Sequence, residues 1–439
     1  MGAVDPILGT TIAWRNDKDP QKMNLGVGAY RTEEEKPYVF EVVKQVEKEL
    51  FEELMSGKVN KEYLPIEGHA GFNECSKKLI FGNNCPTLNK IVTVQSLSGT
   101  GALRVGGEFL RKFIPSVIHV PRPTWATHHP ILANSGLKVA EYPYYNPKGR
   151  NFDSASMLQH LHSLPAGSLI LLHAAAHNPT GVDPTQEQWR QIADVMKTKK
   201  LIPFFDTAYQ GFASGCLQKD AFPIRLFNEL GFQMVVAQSY AKNMGLYGER
   251  VGALHVVCHN TKTAEKVLSQ LKLVIRPMYS NPPQHGALLV HKVLSKEENY
   301  NKWADELAAV SKRIIEVRDL LRKKLEELKT PGTWEHITDQ IGMFSYTGLR
   351  EKVCETLINK YHVYMLKNGR ISLTGITKKN VTYLAESINK AIHENKWLFW
   401  SRKSYLKLQK LIWIYINIMN YIFEEIILEW ITQESRISF

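Results

Sequence analysis

The stretch Met234-Val-Val-Ala-Gln-Ser-Tyr-Ala-Lys-Asn-Met-Gly-Leu-Tyr-Gly-Glu-Arg-Val-Gly252 sets the reading of the whole chain. Met234 to Ala237 is a short apolar run, the pattern of a buried strand, and Val251 to Val257 reads as a second one. Between them runs a polar, glycine-punctuated loop with Ser239, Lys242 and Arg250. A lysine on a loop pinned between two core strands is held in place and still reachable. That suits an amine nucleophile that forms a Schiff base with an aldehyde cofactor. Arg250 and the Ser239 hydroxyl suit a phosphate close to that amine. On this stretch alone, a surface lysine in a hairpin loop reads equally well, because loop lysines are common.

Upstream, strand patterns alternate with helical ones. Leu201-Ile-Pro-Phe-Phe-Asp206 and Leu169-Ile-Leu-Leu-His-Ala are apolar runs of the buried parallel kind. Asp206 falls at the carboxyl end of its strand, where α/β proteins bind ligands. A carboxylate there can hold a pyridine nitrogen protonated, and Tyr209 can hydrogen-bond the phenolic oxygen of such a ring. A strand-end aspartate is also a common helix cap. Ala176-His-Asn-Pro-Thr-Gly181 is a turn that presents Asn178 at the same edge. Ile91-Val-Thr-Val-Gln-Ser-Leu reads as a strand by β-branched alternation. It is followed by Ser98-Gly-Thr-Gly-Ala and a helix from Ala102. A strand, a small-residue turn and a helix N-terminus make a ready anion site, so Ser98, Gly99 and Thr100 are the candidate phosphate cup. A dinucleotide fingerprint would need glycine at 104, which is Arg104. Trp125, just past an apolar strand that ends at Val120, can stack on a planar ring, although buried tryptophans are more often core. Glycines 26 and 28 in Asn24-Leu-Gly-Val-Gly-Ala-Tyr-Arg31 let a backbone approach a ligand closely. Arg276 precedes a proline and so reads as extended. A helix is expected from Val39 through Leu54, and a long one from Trp303 to Leu328.

Ser239 to Arg250, preceded by the Asp206-x-Ala-Tyr209 pattern 36 residues before Lys242, resembles the aspartate aminotransferases, pyridoxal-phosphate enzymes of fold type I. The likeness runs from about Asp5 to about His393 and is greatest to the mitochondrial branch. It implies a mainly parallel central sheet in a large α/β domain, residues 38–309. A smaller α/β domain combines 1–37 with 310–394. It implies transamination between L-aspartate and 2-oxoglutarate by a ping-pong route, with Lys242 carrying pyridoxal 5′-phosphate and then moving the substrate's α-proton. The resemblance makes Lys242, Trp125, Asp206 and Tyr209 catalytic. The cofactor shell adds Ser98, Gly99, Thr100, Asn178, Ser239 and Arg250, with Tyr63 reaching across a homodimer. His128 stands behind the ring. Substrate contacts are Gly28, Trp125, Asn178, Arg370 on the α-carboxylate, and Arg276, from the neighbouring subunit, on the side-chain carboxylate of a dicarboxylic substrate. Glu67 departs from the family pattern, which has glycine there. A carboxylate beside a phosphate is unfavourable unless its side chain points to solvent.

Length and composition bound the alternatives. A chain of 439 residues with 44% hydrophobic and 10% aromatic content fits one large or two moderate globular domains. The net charge of +12 comes from scattered basic residues, which argues against nucleic acid and leaves anionic substrates or an anionic membrane surface. The five cysteines have no metal-ligand or redox spacing, which favours free thiols in a reducing compartment. Met1 to Leu8 carries neither an apolar signal nor an Arg-rich presequence. The resemblance points to the mitochondrial matrix, and the chain as it begins points to the cytoplasm. Residues 395–439 have no counterpart in the family. Leu411 to Phe423 there are 13 uncharged residues, too short for a bilayer span of about 20. An interfacial membrane contact through this tail is the lesser reading beside a tail without a role. Rival functions are a nucleotide-dependent dehydrogenase, a membrane-associated binding protein, and an inactive isoform with altered termini.

Overall fold

The computed structural model describes residues 6–395, together with Trp413 and Asn417. The tail reading therefore falls outside the described residues. Seven strands form the central sheet. They are β1 (Ile91–Leu97), β2 (Val117–Arg122), β3 (Lys138–Pro143), β4 (Leu169–His173), β5 (Ile202–Thr207), β6 (Val235–Ser239) and β7 (Val251–Val257), in the spatial order β1-β7-β6-β5-β4-β2-β3. The pairs β6/β5, β5/β4, β4/β2 and β2/β3 are parallel, and β7 runs antiparallel to both its neighbours. This is the mainly parallel α/β sheet expected from the sequence.

Every residue of β4, β6 and β7 is buried, as continuous apolar runs require when both faces of a sheet are covered. The two-residue period of the strands divides their side chains between two cores. Leu169, Leu171, Phe204, Val235 and Ala237 join one, and Ile170, Leu172, Phe205 and Val236 the other. Helix α2 (Ser98–Phe113) lies against the first face. Its Gly106 permits the approach, since a Cβ there would lie 2.7 Å from Phe204 Cζ.

Helix α1 (Glu41–Met55) buries Val42, Val43, Val46 and Leu50. Val43, Val46 and Leu50 fall where the expected helix puts its apolar face, but the helix starts two residues later, leaving Val39 ahead of it and more than one-third exposed. The long helix α4 (Glu297–Glu327) buries Trp303, Leu307, Val310, Ile314, Val317, Leu321 and Leu325 at helical spacing. Truncating any of these leucines to alanine should cost about 2–5 kcal/mol. Segments from the early and late parts of the described chain pair. Met23–Asn24 pairs in parallel with Val363–Tyr364, and β8 (Phe344–Tyr346) pairs antiparallel with β9 (Arg370–Ser372), before a helix over 381–395. No helix among the described residues is long and apolar enough to cross a membrane.

Two local expectations are corrected. Arg276 is not extended. It lies in the last turn of helix α3 (Thr261–Tyr279), with Pro277 inside the helix. A proline so near a helix end forfeits a single backbone bond, and the Ser280 N–H closes back on the Arg276 carbonyl at 3.2 Å. Helix α2 begins at Ser98 rather than Ala102, so Ser98, Gly99 and Thr100 form its first turn.

Candidate active site

The carboxyl ends of β1, β2, β4, β5 and β6 meet at one edge of the sheet, and a cavity of about 250 Å³ opens there. Ser98, Gly99, Thr100, Trp125, Asn178, Asp206, Tyr209, Ser239, Lys242 and Arg250 line it, with Gly28 and Arg370 on the side nearer the chain ends. Twelve of the fourteen candidate site residues thus converge.

Lys242 enters from the loop between β6 and β7, which are hydrogen-bonded neighbours. Burial lowers the pKa of its amine. The Asp206 charge opposes the shift, and Arg250 and Arg370 add to it. The Lys242 Nζ stands 5.4 Å from the centre of the Tyr209 ring. Asp206 sits opposite His173 in the β4/β5 register. Burial alone would raise its carboxyl pKa. The hydrogen bond to His128 Nε2, at 3.0 Å, and the positive charge of Lys242 turn the shift downward, so the group is an anion. The chain of contacts continues from His128 Nδ1 to Thr124 Oγ1 at 2.8 Å and on to His173 Nε2 at 3.0 Å. Burial pushes the Tyr209 phenol well above its usual range, which keeps it a hydroxyl donor.

The candidate anion cup is built by close approach. Ser98 has φ +62°, a left-handed conformation that costs energy in a non-glycine residue. It is accommodated beneath Gly252, where a Cβ would lie 2.6 Å from the Ser98 carbonyl carbon. The Ser98 and Ser239 hydroxyls meet at 2.9 Å. Helix α2 has no side-chain cap, so its first N–H groups face the cavity's end with no partner from the helix itself. Arg250, with φ +51°, donates to the Tyr247 carbonyl at 3.0 Å.

Arg370 is 2% exposed, and burial pulls its pKa down to about 10. Its Nη2 donates to the Gly26 carbonyl at 2.6 Å, its Nη1 reaches Asn178 Oδ1 at 3.4 Å, and its Nε–H is buried without a partner. Its guanidinium carbon lies 4.2 Å from the centre of the Phe344 ring.

Tyr63 and Arg276 do not line this cavity. Tyr63 is 84% exposed, and Arg276 is exposed with its Nη1 on Ser280 Oγ at 2.8 Å. Glu67 is paired with Lys272 at 2.8 Å, which answers the concern over its charge. His173 and Phe344 belong to the cavity and were missed as site residues. A polar residue ending an otherwise apolar parallel strand was the available signal for His173. Nothing in the local pattern marks Phe344.

An amine of lowered proton affinity, a buried carboxylate across from it, an uncapped helix N-terminus and an unpaired arginine share one cavity. A model of the family "Aminotransferase class I and II" matches residues 20–388. The chain belongs to that family. It is 53% identical over 391 residues to aspartate aminotransferase 1 of Medicago sativa, covering 88% of this chain and 93% of the relative. Mitochondrial aspartate aminotransferase of Xenopus tropicalis is 48% identical over 393 residues, with 89% and 91% covered. Cytoplasmic aspartate aminotransferase of Oryza sativa subsp. japonica matches at a higher 51% identity over 395 residues, so over the whole chain the likeness is not greatest to the mitochondrial branch. Among solved structures, an aromatic-amino-acid aminotransferase from Burkholderia pseudomallei, covalently bound to pyridoxal phosphate, superposes with a TM-score of 0.86 at 37% identity, covering 89% of this chain and 98% of that one.

Proposed function

We propose that this aminotransferase moves an amino group between L-aspartate and 2-oxoglutarate, giving oxaloacetate and L-glutamate, with pyridoxal 5′-phosphate as cofactor. The observation that carries the reading is the pair Lys242 and Arg370 in one cavity. One is an amine of lowered proton affinity, and the other is a buried guanidinium whose hydrogen-bond partners among the described residues are neutral oxygens.

The residues fit the cofactor. Ser98, Thr100, Ser239, Arg250 and the unpartnered first turn of α2 would hold a phosphate. Asp206 would face a protonated ring nitrogen, Tyr209 would donate to the ring oxygen, and Trp125 would cover the ring face. When bound, the group supplies an aldehyde and an electron-accepting ring. Lys242 supplies the amine, and its depressed pKa keeps a larger neutral fraction near neutral pH, as a nucleophile and proton carrier both need. Arg370 offers a fork to the substrate α-carboxylate, a geometry lysine cannot reproduce.

The exposed Tyr63 and Arg276 support a two-fold homodimer in which each serves the partner's cavity, as the resemblance implies. In the same reading, 38–309 form the large domain and 1–37 with 310–394 the small one. The likeness of 239–250 to the mitochondrial branch supports a matrix location, the more similar cytoplasmic relative supports a cytoplasmic one, and cell fractionation decides between them. For the activity, the purified protein is mixed with pyridoxal 5′-phosphate and its absorbance recorded. Aspartate-dependent formation of oxaloacetate is then followed. A protein that neither changes the cofactor's spectrum nor forms oxaloacetate overturns the reading.

A further inference from the structure

A second arginine is buried without an anion. Arg318, on α4, is 2% exposed, and its guanidinium donates to three main-chain carbonyls: Nη1 to Ile337 at 2.6 Å, and Nη2 to Gly342 at 2.8 Å and Phe344 at 2.7 Å. Its Nε–H has no partner. Burial lowers its pKa to about 9, so it stays charged at neutral pH. Desolvating an ion against dipoles alone costs several kcal/mol, and an aliphatic side chain would fill the same space more cheaply. The cost therefore marks a requirement for position.

What Arg318 grips is the segment 337–344. The far side of that segment abuts the turn that carries Asn178. The Ile341 N–H donates to the Gly181 carbonyl at 2.7 Å, and a Cβ at Gly342 would lie 2.4 Å from the Ala176 Cβ. Phe344, at its end, lies under the Arg370 guanidinium and crowds Gly28, where a Cβ would be 2.7 Å from its Cζ. We propose that Arg318 is a positioning residue for the carboxylate-binding end of the cavity. By fixing the carbonyls of Ile337, Gly342 and Phe344, it sets the ring on which Arg370 rests. A lysine, with a point charge in place of a planar fork, cannot span the three oxygens.

The inference rests on the aminotransferase reading for its ligand, and wild-type turnover of L-aspartate decides that reading separately. The test is steady-state kinetics of Arg318→Lys, Phe344→Leu and the double variant with L-aspartate and 2-oxoglutarate. Arg318→Lys should raise both KM values about tenfold, leave kcat within about threefold, and leave the cofactor absorbance and its pH dependence unchanged. Phe344→Leu keeps all three arginine bonds and should show a similar rise. The double variant should be no worse than the larger single effect. Unchanged KM in Arg318→Lys overturns the proposal, as does a loss confined to kcat or cofactor binding, or effects that multiply. If Arg318→Lys does not fold, Phe344→Leu decides: a wild-type KM there overturns the proposal, and a raised one supports it.

Discussion

The floor of the cavity and its rim are built on opposite plans. On the floor, polar groups find partners within the chain: Asp206 with His128, His128 with Thr124, Thr124 with His173, and Ser98 with Ser239. At the rim, Arg250 and Arg370 rest on neutral carbonyl and amide oxygens. Neutral acceptors orient a guanidinium without neutralising it. The fold itself therefore sets the charge state of the floor, whereas the rim's charges are compensated only by what binds.

Lys242→Ala is the severest way to break the contrast. Transamination should fall by several orders of magnitude, beyond the ~10²–10⁴ of proton transfer alone, because the covalent step goes too. Its melting temperature should stay within a few degrees of wild type. Near-normal turnover sinks the assignment of the amine. Arg370→Leu comes next. It should lower kcat/KM about 10²–10³-fold for every amino acid alike, the size of a lost buried charge-assisted pair. Since no protein carboxylate is left stranded, the variant should melt no lower than wild type. A large drop in melting temperature would show that the rim arginine is structural after all. Arg276→Ala should cut aspartate and glutamate turnover about 10²-fold and an aromatic amino acid far less. Equal losses would remove Arg276 from the proposed role in the partner's cavity.

The smallest effect concerns acid and the buried histidines, of which His173 lies on the floor. His173 and His255 are held down to about 3, and His336 to about 4, each chiefly by burial. All three are neutral when folded and charge on unfolding below pH 6.5, so unfolding takes up protons from there down to about 3–4. Stability should fall across that window, by up to about 1.4 kcal/mol per pH unit per group. Asp183 works in the other direction. Burial pushes its carboxyl up to about 6, so the folded chain keeps a proton that the unfolded chain releases. Three groups outweigh one, and the cofactor-bound protein should melt several degrees lower at pH 5 than at pH 7.5. A flat profile would mean that these histidines are solvated.

Much of the fold and of the cavity was legible because it is written locally. Apolar runs closed by a polar residue gave β4, β5 and β6 with Asp206 and Ser239 at their ends, and the small-residue turn marked Ser98. What escaped depends on contacts distant in sequence. Phe344 owes its place to Arg370, Gly28 and Arg318, and no neighbour in sequence signals that. Arg276 was misread because the proline rule describes the preceding residue in general, and a helix's last turn tolerates the exception.

The reversed strand β7 has a consequence for reactivity. Because β6 and β7 are neighbours, residues 240–250 form a short tether closed at both ends, with Lys242 three positions beyond β6. Lengthening such a loop costs little, about 0.6 kcal/mol per doubling, so the chain would still fold. The amine, however, acts at an effective concentration set by that tether, and orientation of this kind is worth about 7–11 kcal/mol of a barrier. Two residues added between Ser239 and Lys242 would leave a well-folded protein in which the reagent has been diluted away.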